Sequence, residues 1–285
     1  MGHRAAVYAL APGAAPGSFL TAGGDGWVAR WSVDNPEHGQ LVARTEAQLF
    51  ALARLDASDT FAAGNMHGGL HFLRGGTSTD VLHHRRGVYG LLVVRGVLLS
   101  VGGDGKITRW DSEGARALET LQLSTAALRS IDYSPARNEL AVGSSDHRIY
   151  LLDATTLSLR QTLSNRHDNS VFCVKYHPDG RRLVSGGRDA HLAVSTLETD
   201  DFHRIPAHNF TVNALAFRPD GRILATASRD RTIKLWDAAT FELLKVLETV
   251  RDDGHRNSVN DLLWMDRRLV SVSDDRTGIV WSFAE

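Results

Sequence analysis

The sequence predicts an all-β domain built from seven copies of one four-stranded unit. Two observations predict it. A short tract recurs along the chain in which a small-residue turn carries an aspartate and leads into an alternating strand: TAGGDGWVARW, SVGGDGKITRW, VGSSDHRIYLL, SGGRDAHLAVS, TASRDRTIKLW and SVSDDRTGIVW. Its aspartates are Asp25, Asp104, Asp146, Asp189, Asp230 and Asp275, and a degenerate copy, AAGNMHGGLHFL, puts His67 where the aspartate belongs. Successive copies stand 42, 37, 42, 43, 41 and 45 residues apart, the self-similarity of a repeat architecture. The second observation is that no helix-period pattern of useful length lies between the copies.

Each unit is legible element by element. It opens on a run of alternating character, as in residues 171–176 or 212–217, which reads as a strand with one buried face. A glycine-bearing turn follows, clearest at Pro178-Asp179-Gly180 and Pro219-Asp220-Gly221, where proline presets one turn position and glycine supplies a left-handed one. The second strand ends at the aspartate turn and the third leaves it. A further β-rich run, such as residues 159–163 or 242–247, is the fourth. The 285 residues divide into units of approximately 1–46, 47–82, 83–123, 124–165, 166–206, 207–250 and 251–285, a single domain.

Composition sets outer limits. Apolar residues at 42% and charged residues at 23% are those of a folded globular protein. Lysine and arginine number 32 against 33 aspartates and glutamates, so a formal net charge of -1 provides no global field for nucleic acid or anionic lipid. Only Lys106, Lys175, Lys234 and Lys245 are lysines, which leaves 28 arginines and two open explanations, a GC-rich genome or a demand for forked guanidinium contacts. The single cysteine, Cys173, reads as a core residue in a reducing, cytoplasmic setting. The longest apolar stretch, near residues 90–101, is broken by Arg95 and is too short to span a bilayer. Pro12 and Pro16 interrupt the apolar start, which the first unit claims as a strand, so export is not expected either.

These tracts resemble the repeats of the WD40 family, residues 224–237 (LATASRDRTIKLWD) being close to that family's pattern, and the resemblance covers the whole chain. It implies a seven-bladed β-propeller with four antiparallel strands per blade. It also implies a structural tetrad: a histidine before the first strand, a serine or threonine in the second, an aspartate in the next turn and a tryptophan in the third. Four units keep all of it, as His3, Thr21, Asp25 and Trp31; His84, Ser100, Asp104 and Trp110; His208, Thr226, Asp230 and Trp236; and His255, Ser271, Asp275 and Trp281. The fifth keeps His167, Ser185 and Asp189 but has Ser195 for the tryptophan, and units two and four have Leu73 and Leu152 there. Units two and four are therefore expected to be the looser blades.

Serine, histidine and aspartate together invite a catalytic reading, yet a nucleophilic triad needs one activated hydroxyl beside an oxyanion hole. Here the constellation repeats around the ring and each hydroxyl is expected to be held by indole and imidazole. The tetrads are read as structural, and no catalytic residue, metal or cofactor is expected.

By the same resemblance a partner would meet the upper face at three positions per blade: three and five residues after the tetrad histidine, and just before the tetrad aspartate. The second position reads Tyr8, Phe50, Tyr89, Arg129, Phe172, Asn213 and Asn260. The residue before the aspartate, or its equivalent, reads Gly24, Met66, Gly103, Ser145, Arg188, Arg229 and Asp274, and the remaining position Ala6, Gln48, Gly87, Ala127, Ser170, Thr211 and Ser258. Blades one to three thus offer Tyr8, Phe50, Met66 and Tyr89, and blades four to six offer Arg129, Arg188 and Arg229. An aromatic arc beside a basic arc suggests an extended peptide with apolar anchors and acidic or phosphorylated side chains. The plainer alternative is that the aromatics pack over the channel mouth and the arginines pair with acids such as Asp274. The expected function is a non-enzymatic scaffold for a protein or peptide partner. The alternatives are a propeller hydrolase or redox enzyme with a ligand site in the central channel, and a nucleic-acid-associated adaptor, for which three arginines are too few.

Other candidates are weaker. His67 and His71 flank a strand turn, where four-residue spacing does not make a metal pair. Each GGDG is a repeat turn, not a phosphate cradle. Asp200-Asp201 and Asp252-Asp253 read as solvated loop acids. The sequence opens at the histidine of unit one and closes just after the third strand of unit seven, so an outer strand is expected to be missing, giving 27 strands: either the start lies too late, or blade seven is three-stranded, or a second copy fills the edge left at residues 277–283.

Overall fold

The alternating runs become antiparallel meanders. In the computed structural model, which describes residues 2–56, 59–113 and 115–283, six sheets have four strands and a seventh has three, and every strand pairs only with its neighbours in sequence. The result is a seven-bladed β-propeller with 27 strands among the described residues. The first strands, Val7–Pro12, Leu49–Arg54, Val88–Val94, Leu128–Ser134, Val171–Tyr176, Val212–Phe217 and Val259–Met265, stand around the axis. In such a meander turns alternate ends. The aspartate turns and the links into each first strand share the upper end, and the remaining turns share the lower.

Each blade buries one face on the blade before and the other on the blade after, which is why its inner strands are buried at nearly every position while its outer strand is largely exposed. Seven apolar clusters result, each joining two successive blades. One holds Ala9, Leu20 and Val28 of blade one against Leu49 and Phe61 of blade two. Another closes the ring, with Val7, Leu10 and Phe19 of blade one against Val270 and Val272 of blade seven. Polar bonds reinforce that closure: Asn260 Nδ2 donates to Val7 O at 2.8 Å, Leu10 N to Asp261 Oδ2 at 2.8 Å, and Arg268 to Asp34 at 2.7 Å.

Several expectations need correction. The third strand of blade seven is Gly278–Trp281, shorter than 277–283, and among the described residues it pairs on one side only. The outer strand of blade six begins at Leu243, one residue late. A single helical turn, Thr249–Asp252, stands in the link to blade seven where no helix was expected. Asp200 and Asp252 are not simply solvated: Asp200 pairs with the buried Arg166, and Asp252 accepts the Glu248 N–H and faces Arg251. No helix among the described residues is long and apolar enough to cross a membrane.

Candidate functional site

The tetrads bind the upper end of each blade to its centre. In blade three His84 Nδ1 donates to Asp104 at 2.9 Å, the Ser100 hydroxyl lies 2.8 Å from His84 Nε2, and Trp110 Nε1 donates to that hydroxyl at 2.9 Å. Blades one, six and seven repeat the chain through Thr21, Thr226 and Ser271, with indole bonds of 2.8, 3.0 and 2.8 Å. Burial holds His84 and His208 below the ordinary imidazole range, so the rings are neutral donors at Nδ1. Burial alone would raise the Asp189 carboxyl, but the His167 bond and backbone N–H groups outweigh it and bring it down to about 2. Each hydroxyl donates to imidazole and accepts from indole, and Ser100, Thr226 and Ser271 are 0% exposed. None of these hydroxyls is free to attack a substrate.

The incomplete units carry substitutes that the sequence pattern did not reveal. In blade two Asn65, two residues before His67, accepts the main-chain N–H of His67 and Gly69 at 2.9 Å each, and its amide lies 3.0 Å from His71. His71 Nδ1 faces Asp80 at 2.8 Å, so His71 belongs to this network and not with His67. In blade four Asp146 accepts from Ser124 and Tyr150, each at 2.6 Å. Blade five is the exception: among the described residues nothing replaces its indole, and the Ser195 hydroxyl is buried without a partner.

The contact positions are placed by one irregularity. In all seven blades the register between first and second strand slips at the start of the first strand, and the residue left over is Tyr8, Phe50, Tyr89, Arg129, Phe172, Asn213 or Asn260. A bulge frees one side chain from the pleat and re-aims it. All seven line the mouth of one central cavity of ≈ 450 Å³. The other two positions meet by a main-chain bond in every blade, from Gly24 N to Ala6 O in blade one, Arg188 N to Ser170 O in blade five and Asp274 N to Ser258 O in blade seven. Among their side chains Met66, Arg188, Arg229 and Asp274 are exposed.

The two arcs are drawn differently from the expectation. Tyr8 meets Phe50 edge-on at 5.0 Å, Phe50 stacks on Tyr89 at 5.8 Å, and the Arg129 guanidinium lies between Tyr89 (4.5 Å) and Phe172 (5.2 Å). Arg129 also donates to Ser145. It therefore belongs to a continuous collar and not to a basic arc with Arg188 and Arg229. The collar is completed by amides: Asn213 donates to Ser258 and to Val259 O, and Asn260 to Val7 O and Asp274. Burial, with Asp274 nearby, raises the Tyr8 hydroxyl, which stays a neutral donor.

Below the collar the wall carries charges that the sequence analysis passed over. Lys175 Nζ donates to Asp132 at 2.7 Å, and the same carboxylate accepts Tyr176 N at 2.8 Å. Asp261 occupies a wall position that six other blades fill with Ala9, Ala51, Gly90, Ser130, Cys173 and Ala214. Burial pushes its carboxyl up to about 6. Among the described residues no group of three or more metal-ligating side chains forms a cation site.

Comparison with known proteins fits this geometry. The family described as WD domain, G-beta repeat matches residues 158–194 and 200–237. The chain carries WD40 repeats on a seven-bladed β-propeller. Each match starts just before the outer strand of one blade and ends on the third strand of the next. Among curated relatives of this WD40 propeller are Actin-interacting protein 1 of Drosophila melanogaster, 30% identical over 57% of the chain, and Protein HIR1 of Kluyveromyces lactis, 29% identical over 51%. Echinoderm microtubule-associated protein-like 2 of Rattus norvegicus is 25% identical over 88%. The chain spans 27%, 20% and 40% of their respective lengths. The WD40 β-propeller domain of Doa1 superposes over 100% of the chain and 95% of its own with a TM-score of 0.87 at 19% identity, a likeness of fold.

Proposed function

We propose that this WD40 propeller is a non-enzymatic platform whose upper face receives a protein or peptide partner. The observation that carries the reading is the sevenfold bulge, which spends one residue per blade on aiming a side chain at the channel mouth instead of pairing it. The aromatic and arginine content of that rim is of the kind that concentrates binding energy. The relatives named for actin interaction and microtubule association support a protein partner. The partner in this reading is an extended segment with apolar anchors for the collar and acidic or phosphorylated side chains for Arg188 and Arg229.

Affinity capture with crosslink mapping tests it. Partners should crosslink to the rim and be lost when Arg188→Glu and Arg229→Glu are combined, with melting unchanged. Capture that survives this variant, and Tyr8→Ala with Phe50→Ala, counts against the platform. A second reading follows from the one-sided pairing of Gly278–Trp281: that edge pairs with a second copy. Sedimentation velocity showing a monomer at every concentration refutes it.

A further inference from the structure

We infer that the anion-binding seat of the upper face is an arc of six arginines over blades five, six, seven and one, and that it takes an extended protein segment dense in carboxylates or phosphates. The inference rests on the platform reading and moves its basic site. Arg188, Arg229, Arg231, Arg256, Arg276 and Arg4 are all exposed, and among the described residues none makes a side-chain hydrogen bond or ion pair, Arg4 only lying over the Trp27 ring. Their main chain is nonetheless fixed. Arg4 and Arg256 donate their N–H groups to the tetrad carboxylates Asp25 and Asp275, and Arg231 and Arg276 donate theirs to Ser228 O and Ser273 O within the aspartate turns.

At the lower end, where Arg95 and Arg181 are likewise exposed without a side-chain bond among the described residues, four arginines of the turns are paired. There Arg137, Arg182, Arg218 and Arg268 each lie against a carboxylate, at 3.1, 2.6, 2.6 and 2.7 Å. On the arc the neighbouring acids are engaged elsewhere: Asp168 with Arg204, Asp274 with Asn260, and the tetrad aspartates with their histidines. Asp253 in the link to blade seven is the exposed exception.

The arc's form limits what it fits. Guanidinium forks match carboxylate and phosphate oxygens in pairs, and a row over four blades suits a chain of anions better than one ion. The stacked collar gives way to Asn213 and Asn260 along the inner side of this same stretch, and Phe210, 60% exposed in the link to blade six, supplies an apolar anchor within it. A single-stranded nucleic acid needs successive stacking platforms. Here one aromatic stands free while the collar rings pack on one another.

Fluorescence anisotropy on the full chain tests this with three labelled ligands: a peptide alternating Glu and Ser with one Leu, its phosphoserine counterpart, and oligo-dT. One of the two peptides should bind in a salt-sensitive manner, and which one binds separates carboxylate from phosphate. R229S/R231S/R276S should weaken it by about tenfold or more, at a few-fold per guanidinium. R85S/R86S, which removes exposed arginines of blade three outside the arc, should change it by less than about twofold. Equal losses in both variants, tightest binding of oligo-dT, or no peptide binding overturns the inference. If peptides fail while Arg188→Glu with Arg229→Glu still abolishes protein capture, the platform stands and the anionic seat falls. If peptides bind as expected while capture is unaffected, the platform falls instead.

Discussion

Replacing Thr226 by valine in blade six keeps the side chain's shape and removes only its hydroxyl. That oxygen lies 2.7 Å from His208 Nε2 and 3.0 Å from Trp236 Nε1, with Thr226 0% and Trp236 3% exposed. Valine therefore strands an indole N–H and an imidazole nitrogen in the interior. A buried polar group left unpaired costs ~1–3 kcal/mol, so the two together give about 2–6 kcal/mol. Blade five supplies an internal control. Ser185 lies 2.8 Å from His167 Nε2 but faces no indole, because Ser195 stands in that place. Ser185→Ala strands one group and should cost roughly half as much. Guanidinium unfolding followed by circular dichroism measures both. Equal costs, or a Thr226→Val cost below about 0.5 kcal/mol, would show that the tetrad is not the polar clasp argued above.

Three further outcomes follow. The Ser195 hydroxyl is buried and unpaired, so Ser195→Ala should raise stability by up to ~1 kcal/mol in the same unfolding experiment; a fall would reveal a bond to it. Burial raises the Cys173 thiol, which lies near Gly186 O and Val212 O, so a thiol reagent should fail to label the native protein and label it fully in guanidinium. Acid should act in two stages. Below about 6.5 the buried neutral His84 and His208 lose stability, while Asp261, raised to about 6, gains it as its carboxyl protonates; below about 3.8 the lowered tetrad carboxylates, Asp189 at about 2 among them, protonate and unfold the blades. Asp261→Asn should remove the gain, so that stability at pH 5 relative to pH 7 falls below wild type; an unchanged profile refutes that assignment.

The fold was legible because its information is local and repeated. Asp25, Asp104 and Asp230 recur in register with their hydroxyl and indole partners, and one good copy interprets a poor one. The substitutes were not legible, because Asn65 holds the turn of blade two and Tyr150 donates to Asp146 in blade four from positions where the repeat has no fixed residue. The rim positions were legible as places. What they do depended on neighbours from other blades: Arg129 and Phe172 are one position in two units, and only the closed ring lays the guanidinium on the phenyl. Phe210, two residues after His208, had a signal, an aromatic between polar residues in a link.

A seven-fold scaffold cancels most of its own information. The bulge and the main-chain bond from the residue before the aspartate are the same in every blade, so neither can tell a partner how to lie. Orientation must come from what breaks the symmetry. Two features break it on the same side. The stacked collar stops at Phe172, and six exposed arginines without a side-chain bond among the described residues stand from Arg188 round to Arg4, with Arg85 and Arg86 of blade three outside that run. The excess of arginine over lysine, which composition left with two explanations, divides accordingly. At the lower end Arg137, Arg182, Arg218 and Arg268 are paired with carboxylates of the scaffold, and on the arc six guanidinium groups stand without a bonded partner among the described residues. Under the proposed reading, the arc is where a demand for forked contacts falls.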